Sequence, residues 1–122
     1  MTIAAAVDLT APDQDQLIAA AANFARQRGE QCFVISIVKS LVMAEEQNAV
    51  IARNLALITS RNVAPIVQEG DDVARSLRII AEKFGVQTMF IQNGRRRFGR
   101  TMAEQLIHLK PSFEVVVVSP DL

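Results

Sequence analysis

The residues best suited to bind a ligand lie between positions 94 and 101, in the segment GRRRFGRT. Four of its eight residues are arginines: Arg95, Arg96, Arg97 and Arg100. A guanidinium group presents a planar fork of N–H donors that matches the oxygens of a phosphate. The segment therefore predicts an anion site, for a phosphate or a nucleotide. A solvated basic turn, paired with acidic residues of a neighbour, is the alternative.

The same segment leads into a predicted helix. Thr101 and Glu104 have the T-x-x-E spacing of a capping box, which predicts a helix from Thr101 to about Leu109. The free N–H groups and the positive dipole end of a helix start favour an anion. Gly94 and Gly99 allow backbone conformations that other residues resist. Neither GxGxxG nor GxxxxGK[ST] occurs in the chain, so the two standard phosphate loops are absent from the sequence.

Isolated acidic and basic residues are weaker candidates for ligand binding, catalysis or metal binding. Asp8 follows the first apolar run, where a carboxylate could anchor a ribose or a base, or could only start a turn. Asp71 and Asp72 could act as paired carboxylates in acid–base work, but a helix start explains them more simply. His108 has no second His or Cys nearby to complete a metal site, and its position suits a helix C-terminus.

Cys32 is the single cysteine and lies inside the apolar run CFVISIV, so no internal disulfide can form. Its surroundings predict a buried structural thiol rather than a nucleophile. The serines have no His or acid at a recognisable spacing, and no catalytic triad can be assigned. The sequence therefore favours a protein without catalytic activity, although it leaves that question open.

Composition limits the classes of partner. The chain has 122 residues, half of them hydrophobic, which is enough for a single domain over residues 1–122. Lys and Arg total 13 and so do Asp and Glu, so the overall charge gives no attraction to nucleic acid or to an anionic membrane. The start lacks the features of a signal peptide, and no apolar run approaches the roughly 20 residues of a membrane span. We expect a cytoplasmic protein.

Strand-length apolar runs alternate with segments of helical period. The predicted strands are Ile3–Val7, Phe33–Val38, Val63–Val67, Thr88–Gln92 and Glu114–Ser119. A first helix is predicted with Thr10 as its cap, Pro12 in its first turn and Gly29 at its end. Further helices are predicted over 41–60, from Asp71–Asp72 to Gly85, and from Thr101. This alternation predicts a parallel sheet with helices on both faces.

In such sheets, ligands bind beyond the carboxyl ends of the strands, where the strand order reverses. Three segments are expected there: 8–10 after the first strand, 39–40 after the second, and 93–101 after the fourth.

These features together resemble a universal stress protein domain. The first strand ends in Asp8, like the family's VAVD-type opening. The stretch GDDVARSLRIIAEKFGVQTMFIQNG over 70–94 resembles its third helix and fourth strand. The tail TMAEQLIHLKPSFEVVVVSP over 101–120 resembles its last helix and strand. The basic loop is most similar to that of the stress-protein module in osmosensitive potassium sensor kinases.

The resemblance implies a three-layer α/β sandwich of the adenine nucleotide α-hydrolase-like type, with a five-stranded parallel sheet of order 3-2-1-4-5. It also implies homodimers formed by antiparallel pairing of the last strand, whose interface residues here are Val115, Val116, Val117 and Val118. An exposed edge of valines would need such a cover. The implied role is regulation or stress response, with a protein partner in signalling or transport.

Many members bind ATP through a G-x2-G-x9-G-[ST] motif, from which this sequence departs. Gly94 matches the first glycine, but Arg97 stands in place of the second. Arg100–Thr101 replaces the final Gly-Ser pair, and the loop is several residues shorter. Asp8, Val38 and Gly94 could still hold the adenosine half. The resemblance therefore implies a degenerate nucleotide site with no required cofactor, the alternative being an ATP or adenine-nucleotide binder with weak hydrolytic or phosphotransfer activity.

Overall fold

The structure is a computed structural model that describes residues 2–39, 45–92 and 101–118. Strands and helices alternate along these residues. They are β1 (Thr2–Ala6), α1 (Asp15–Arg28), β2 (Gln31–Val38), α2 (Glu45–Ser60), β3 (Ala64–Glu69), α3 (Val73–Lys83), β4 (Val86–Gln92), α4 (Met102–His108) and β5 (Glu114–Val118).

The strands form one parallel sheet in the order β3-β2-β1-β4-β5. The chain builds outward from β1 to β3, then returns to place β4 on the other side of β1. The direction of building therefore reverses between β1 and β4, and a crevice is expected at the carboxyl ends of these two strands. The predicted fold class and strand order are confirmed.

Helices cover both faces of the sheet. On one face, Leu17 of α1 and Ile58 of α2 are fully buried against inward side chains of the strands, such as Ile3. On the other face, Leu77 of α3 and Leu106 of α4 pack in a second cluster. The central strands are buried on both sides, which explains why their sequences are apolar at nearly every position.

Several helix ends follow their local sequence. Gly29 ends α1 with φ of 64°, a left-handed conformation that glycine adopts at little cost. Asp72 caps α3, since its Oδ1 accepts a hydrogen bond from Arg75 N at 3.2 Å. Gly85 follows α3 with φ of 69°. The helix-start interpretation of Asp72 is confirmed.

The predicted start of α1 is wrong. The helix begins at Asp15, and Thr10 is not its cap. Thr10 instead donates from N and Oγ1 to Asp8 Oδ1, at 3.0 and 2.7 Å. The Asp8 side chain thus forms a turn with Thr10 before the helix can start, and Pro12 lies in the loop rather than in the first helical turn.

Strand boundaries also differ from the prediction by one or two residues. The third strand is predicted over Val63–Val67 but spans Ala64–Glu69, because Gln68 and Glu69 continue the ladder with β2. Polar side chains are tolerated there because β3 is an edge strand with both faces largely exposed. The predicted start of the second helix at residue 41 and the predicted end of the last strand at residue 119 lie outside the described residues.

Candidate functional site

The carboxyl ends of β1, β2 and β4 meet at one edge of the sheet. Ala6 lies opposite Ile35 of β2 and Ile91 of β4. Continuing this register places Asp8 level with the end of β2, and Gln92 level with the residue before Asp8. The sequence prediction that Asp8 and Val38 lie at one edge therefore agrees with the sheet register.

Asp8 has an exposed carboxylate whose position is fixed by its neighbours. Oδ1 accepts both hydrogen bonds from Thr10, and Asp8 N donates to Gln14 Oε1 at 3.2 Å. Within the described ranges no hydrogen bond to Oδ2 is found. A carboxylate held by one oxygen, with the other free, is suited to accept a hydrogen bond from a ligand hydroxyl or N–H group.

Two glutamines link the loop after β1 to the end of β4, where the strand order predicts a crevice. Gln14 is only 4% exposed, and its Nε2 donates to Gln92 Oε1 at 2.9 Å and to Pro12 O at 3.3 Å. Gln92 Nε2 donates in turn to Asp13 O at 3.2 Å. These bonds join the loop over residues 8–14, which we call the β1–α1 loop, to the last residue of β4. We call this pair of side chains the amide bridge.

Asn54 of α2 holds the same loop from a second direction. Its side chain is 1% exposed, and Nδ2 donates to Leu9 O at 2.8 Å and to Ala11 O at 3.0 Å. Both carbonyls thereby obtain a partner that their own segment does not provide.

Sequence reasoning missed Asn54, Gln14 and Gln92. Asn54 did give a signal, because it lies three residues after Ile51 on the apolar face of its helix, where a polar residue needs a specific partner. A polar residue at the end of the buried strand β4 was a weaker signal for Gln92. Gln14 gave none, since the pattern placed the helix start earlier.

Val38 ends β2 with its side chain buried and its carbonyl bonded to Gly70 N at 2.9 Å. This bond ties the end of β2 to the turn before α3. A Cβ at Gly70 would lie 2.6 Å from Ser76 Oγ, so the close approach of this turn to α3 favours glycine. Val38 thus lies at the predicted edge, although its carbonyl already accepts one hydrogen bond.

Thr101 begins α4 as predicted. It is buried, and its Oγ1 accepts a hydrogen bond from Glu104 N at 3.1 Å, which is half of a capping box. Gly94, Arg95, Arg97 and Arg100 lie outside the described residues, so the anion site assigned to them and to Thr101 stays a prediction.

The valines proposed for a dimer interface lie on β5, an edge strand of the sheet. Val115 packs on the cluster under α3 and α4, while Val116 and Val118 pack on the opposite cluster. Val117 is 43% exposed. The domain itself therefore covers much of this strand, and Val117 is the side chain that a partner would meet.

The remaining candidates occupy structural positions. Cys32 lies near the amino end of β2, and burial raises the pKa of its thiol to about 11, as expected for a structural cysteine. His108 is the exposed last residue of α4. Within residues 2–39, 45–92 and 101–118, no group of three His, Cys, Asp or Glu side chains could hold a metal ion.

Comparison with solved structures identifies the architecture. A putative universal stress protein from Pseudomonas aeruginosa superposes with a TM-score of 0.76 at 19% identity, covering 98% of this chain and 48% of that chain. The chain has the universal stress protein fold. No protein-family model matches the sequence, and no curated protein matches it significantly. At this level of identity, the likeness establishes the fold alone.

Two other structures with this fold contain nucleotides. The universal stress protein from Archaeoglobus fulgidus in complex with dAMP matches with a TM-score of 0.67 and 19% identity, covering 96% of each chain. A universal stress protein in complex with cAMP matches with a TM-score of 0.72 and 9% identity, covering 99% of this chain and 98% of that chain. The fold implied by the resemblance is thus confirmed.

Proposed function

We propose that this chain is a universal stress protein domain that binds the adenosine part of a nucleotide at the β1–β4 crevice and regulates a partner without catalysis. The observation that carries the proposal is the Asp8 carboxylate. It lies where the strand order reverses, with Oδ1 held by Thr10 and Oδ2 directed to no described group. A ribose hydroxyl can donate to Oδ2.

The bound nucleotides of the two structural neighbours support a monophosphate as ligand. Both dAMP and cAMP carry a single phosphate. The sequence after β4 has Arg97 where ATP-binding relatives have their second glycine, and the segment is shorter than theirs. A shorter phosphate-binding segment suits one phosphate group better than three. We therefore expect AMP or cAMP to bind more tightly than ATP.

A thermal shift series with AMP, cAMP, ADP and ATP tests this proposal. A ligand that binds the folded state raises its stability by RT ln(1 + [L]/Kd), or about 2.7 kcal/mol at a hundred times Kd. We expect AMP or cAMP to raise Tm by several degrees, and the substitution Asp8→Ala to remove most of that shift. Asp71→Ala is the matched control at the same edge. No shift with any nucleotide at millimolar concentration would contradict nucleotide binding.

The sequence supports the non-catalytic part of the proposal, because it offers no nucleophile at a recognisable spacing and because Asp72, of the Asp71–Asp72 pair, serves as the cap of α3. The alternative is an ATP-binding protein with slow hydrolytic or phosphotransfer activity. Release of inorganic phosphate from ATP separates the two. Turnover by the wild type that Asp8→Ala abolishes would establish the alternative.

We propose a homodimer through β5, supported by its edge position and by the exposed Val117. A lysine at this position in each protomer would bring charge into such an interface, and burying an unpaired charge is costly. We expect Val117→Lys to convert a dimer to a monomer in analytical ultracentrifugation. Val67→Lys is the matched control, since Val67 is 41% exposed on the opposite edge strand β3. A dimer that survives Val117→Lys but dissociates with Val67→Lys would place the interface on β3.

The arginine segment is proposed to contact the ligand phosphate or an acidic surface of a signalling or transport partner. The arginine content of this segment also supports a relationship of this chain to the stress-protein module of potassium sensor kinases, which have a basic loop at this place. We expect the double substitution Arg97→Ala and Arg100→Ala to abolish anion binding without unfolding the domain. Unchanged affinity would show a solvated turn.

We also propose a cytoplasmic location, supported by the single cysteine Cys32, which leaves the chain without the internal disulfides typical of small exported domains. No helix in the described part of the chain has the length and apolar character needed to cross a membrane.

A further inference from the structure

The amide bridge joins parts of the chain that are far apart in sequence. Gln14 and Gln92 are separated by 78 positions and Gln92 and Asp13 by 79. The bridge links the loop after β1 to the end of β4, the two strands that border the crevice. It therefore forms only when the sheet is assembled.

Each polar atom of the two amide groups has a hydrogen-bond partner in another part of the chain. Gln14 Oε1 accepts from Asp8 N, and Gln14 Nε2 donates to Gln92 and Pro12. Gln92 Oε1 accepts from Gln14, and Gln92 Nε2 donates to Asp13 O. The bridge can therefore influence a ligand through the residues that it holds in place.

One of those residues is Asp8, which the bridge holds by its backbone. Gln14 Oε1 accepts from Asp8 N, while Gln92 fixes the orientation of the Gln14 amide. Thr10 then fixes the Asp8 side chain. The chain of contacts runs from β4 through Gln92 and Gln14 to the carboxylate. Asp13, whose carbonyl Gln92 binds, has φ of 64°, a left-handed conformation that Asp tolerates better than most non-glycine residues.

We propose that Gln14 and Gln92 are positioning residues that hold the Asp8 carboxylate for a ligand hydroxyl, and so give the site its preference for nucleotides that carry a ribose hydroxyl. This inference rests on the proposed function, and it adds the residues that determine selectivity at the same site. A hydrogen bond to a hydroxyl needs the acceptor within a few tenths of an ångström of its best position. A carboxylate on an unrestrained loop meets that condition only part of the time.

Gln92→Met is the decisive variant, because methionine keeps the length of the side chain and removes both of its hydrogen bonds. Calorimetry with AMP and with 2′,3′-dideoxy-AMP measures the contribution of the hydroxyls. We expect the wild type to prefer AMP roughly tenfold, the value of one well-placed hydrogen bond. The variant should lose that preference by binding AMP more weakly, while its affinity for the dideoxy nucleotide stays unchanged.

Thr59→Val is the matched control. It removes a side-chain hydrogen bond, from Thr59 Oγ1 to Leu55 O at 2.9 Å, at an exposed position of α2 outside the loop. Its preference for AMP should equal that of the wild type. Combining Asp8→Ala with Gln92→Met should weaken AMP binding no further than Asp8→Ala alone, because both changes remove the same contact.

Amide hydrogen exchange tests the positioning step without a ligand. In the free Gln92→Met protein, the Asp8 N–H should exchange faster than in the wild type, while amides in the centre of β4 stay protected. A folded variant that keeps both the AMP preference and the slow exchange would overturn the inference. A wild type that binds neither nucleotide would overturn the proposed function and the ribose preference with it. The exchange result would then still decide whether the bridge positions Asp8.

Discussion

Two turns at the same edge of the sheet lead from a strand into a helix, and they are held in different ways. The turn between β3 and α3 is fixed locally, since Asp72 caps the helix through a bond to Arg75 N, three residues away. The β1–α1 loop ends at a helix whose cap residue, Gln14, makes no capping bond. Side-chain amides from α2 and β4 hold this loop instead.

The turn before α3 is thus held by local hydrogen bonds, whereas the β1–α1 loop is held by tertiary hydrogen bonds. A local cap can form in an isolated segment and needs nothing from the rest of the fold. The β1–α1 loop is instead held by Asn54 and Gln92, which come from distant parts of the chain. The loop that depends on the whole fold is also the loop that carries Asp8. A ligand site benefits from this arrangement because rigid elements then determine the position of its functional group.

The largest effect is expected from Asn54→Ala. The substitution leaves the carbonyls of Leu9 and Ala11 without their buried partner and opens a small cavity. We expect the free energy of unfolding in urea to fall by about 2–4 kcal/mol. Thr59→Ala, at an exposed position of the same helix, should cost less than about 1 kcal/mol. Equal losses for the two variants would mean that the loop does not depend on α2.

A double-mutant cycle on the amide bridge should give the next largest effect. Gln14→Met and Gln92→Met each remove side-chain hydrogen bonds that are at least partly shielded from water in the Gln14–Gln92 contact, and each should cost about 1–2 kcal/mol. Because the two side chains bond to each other at 2.9 Å, the double variant should be less destabilised than the sum, by about 1 kcal/mol. Strict additivity of the two unfolding free energies would show that the bond between Gln14 and Gln92 contributes nothing to stability.

Asp72→Ala should cost about 1 kcal/mol, the usual value of a helix N-cap. Asp71 makes no hydrogen bond or ion pair with the described residues, so Asp71→Ala should change the free energy of unfolding by less than about 0.5 kcal/mol. Neither change should alter AMP affinity, because the local turn does not position Asp8. A loss of AMP binding with Asp72→Ala would remove the functional distinction between the two turns.

Cys32 lies near the opposite, amino-terminal edge and serves as a reference for both turns. With its pKa raised to about 11, the folded thiol should react at pH 8 about a hundredfold more slowly than the unfolded thiol. The unfolded thiol ionises near 9.0 and the folded one near 11, so this contribution to stability is present below pH 9 and is lost as the pH rises to 11. Labelling rates that rise in Gln92→Met would show that the loop change spreads across the sheet.

The sequence predicted features that depend on neighbouring residues. The capping roles of Asp72 and Thr101 and the helix end at Gly29 are confirmed, because each rests on bonds within one turn of helix. The strand order came from the family resemblance and is also confirmed. The assignment of Thr10 as a helix cap was wrong for an equally local reason. Thr10 donates two hydrogen bonds to Asp8 Oδ1, from N and from Oγ1, and so forms a turn with Asp8 instead of capping α1.

The sequence by itself therefore determined the alternation of strands and helices, their apolar faces and the caps that form within a few residues. Only the tertiary structure decided where α1 begins and how the Asp8 carboxylate is held, because those answers depend on amides from residues 54 and 92. Their partners are backbone carbonyls and another amide more than 40 positions away in the sequence. Hydrogen bonds to such distant groups leave no periodic pattern in the sequence, and they form only when the folded sheet brings the partners together.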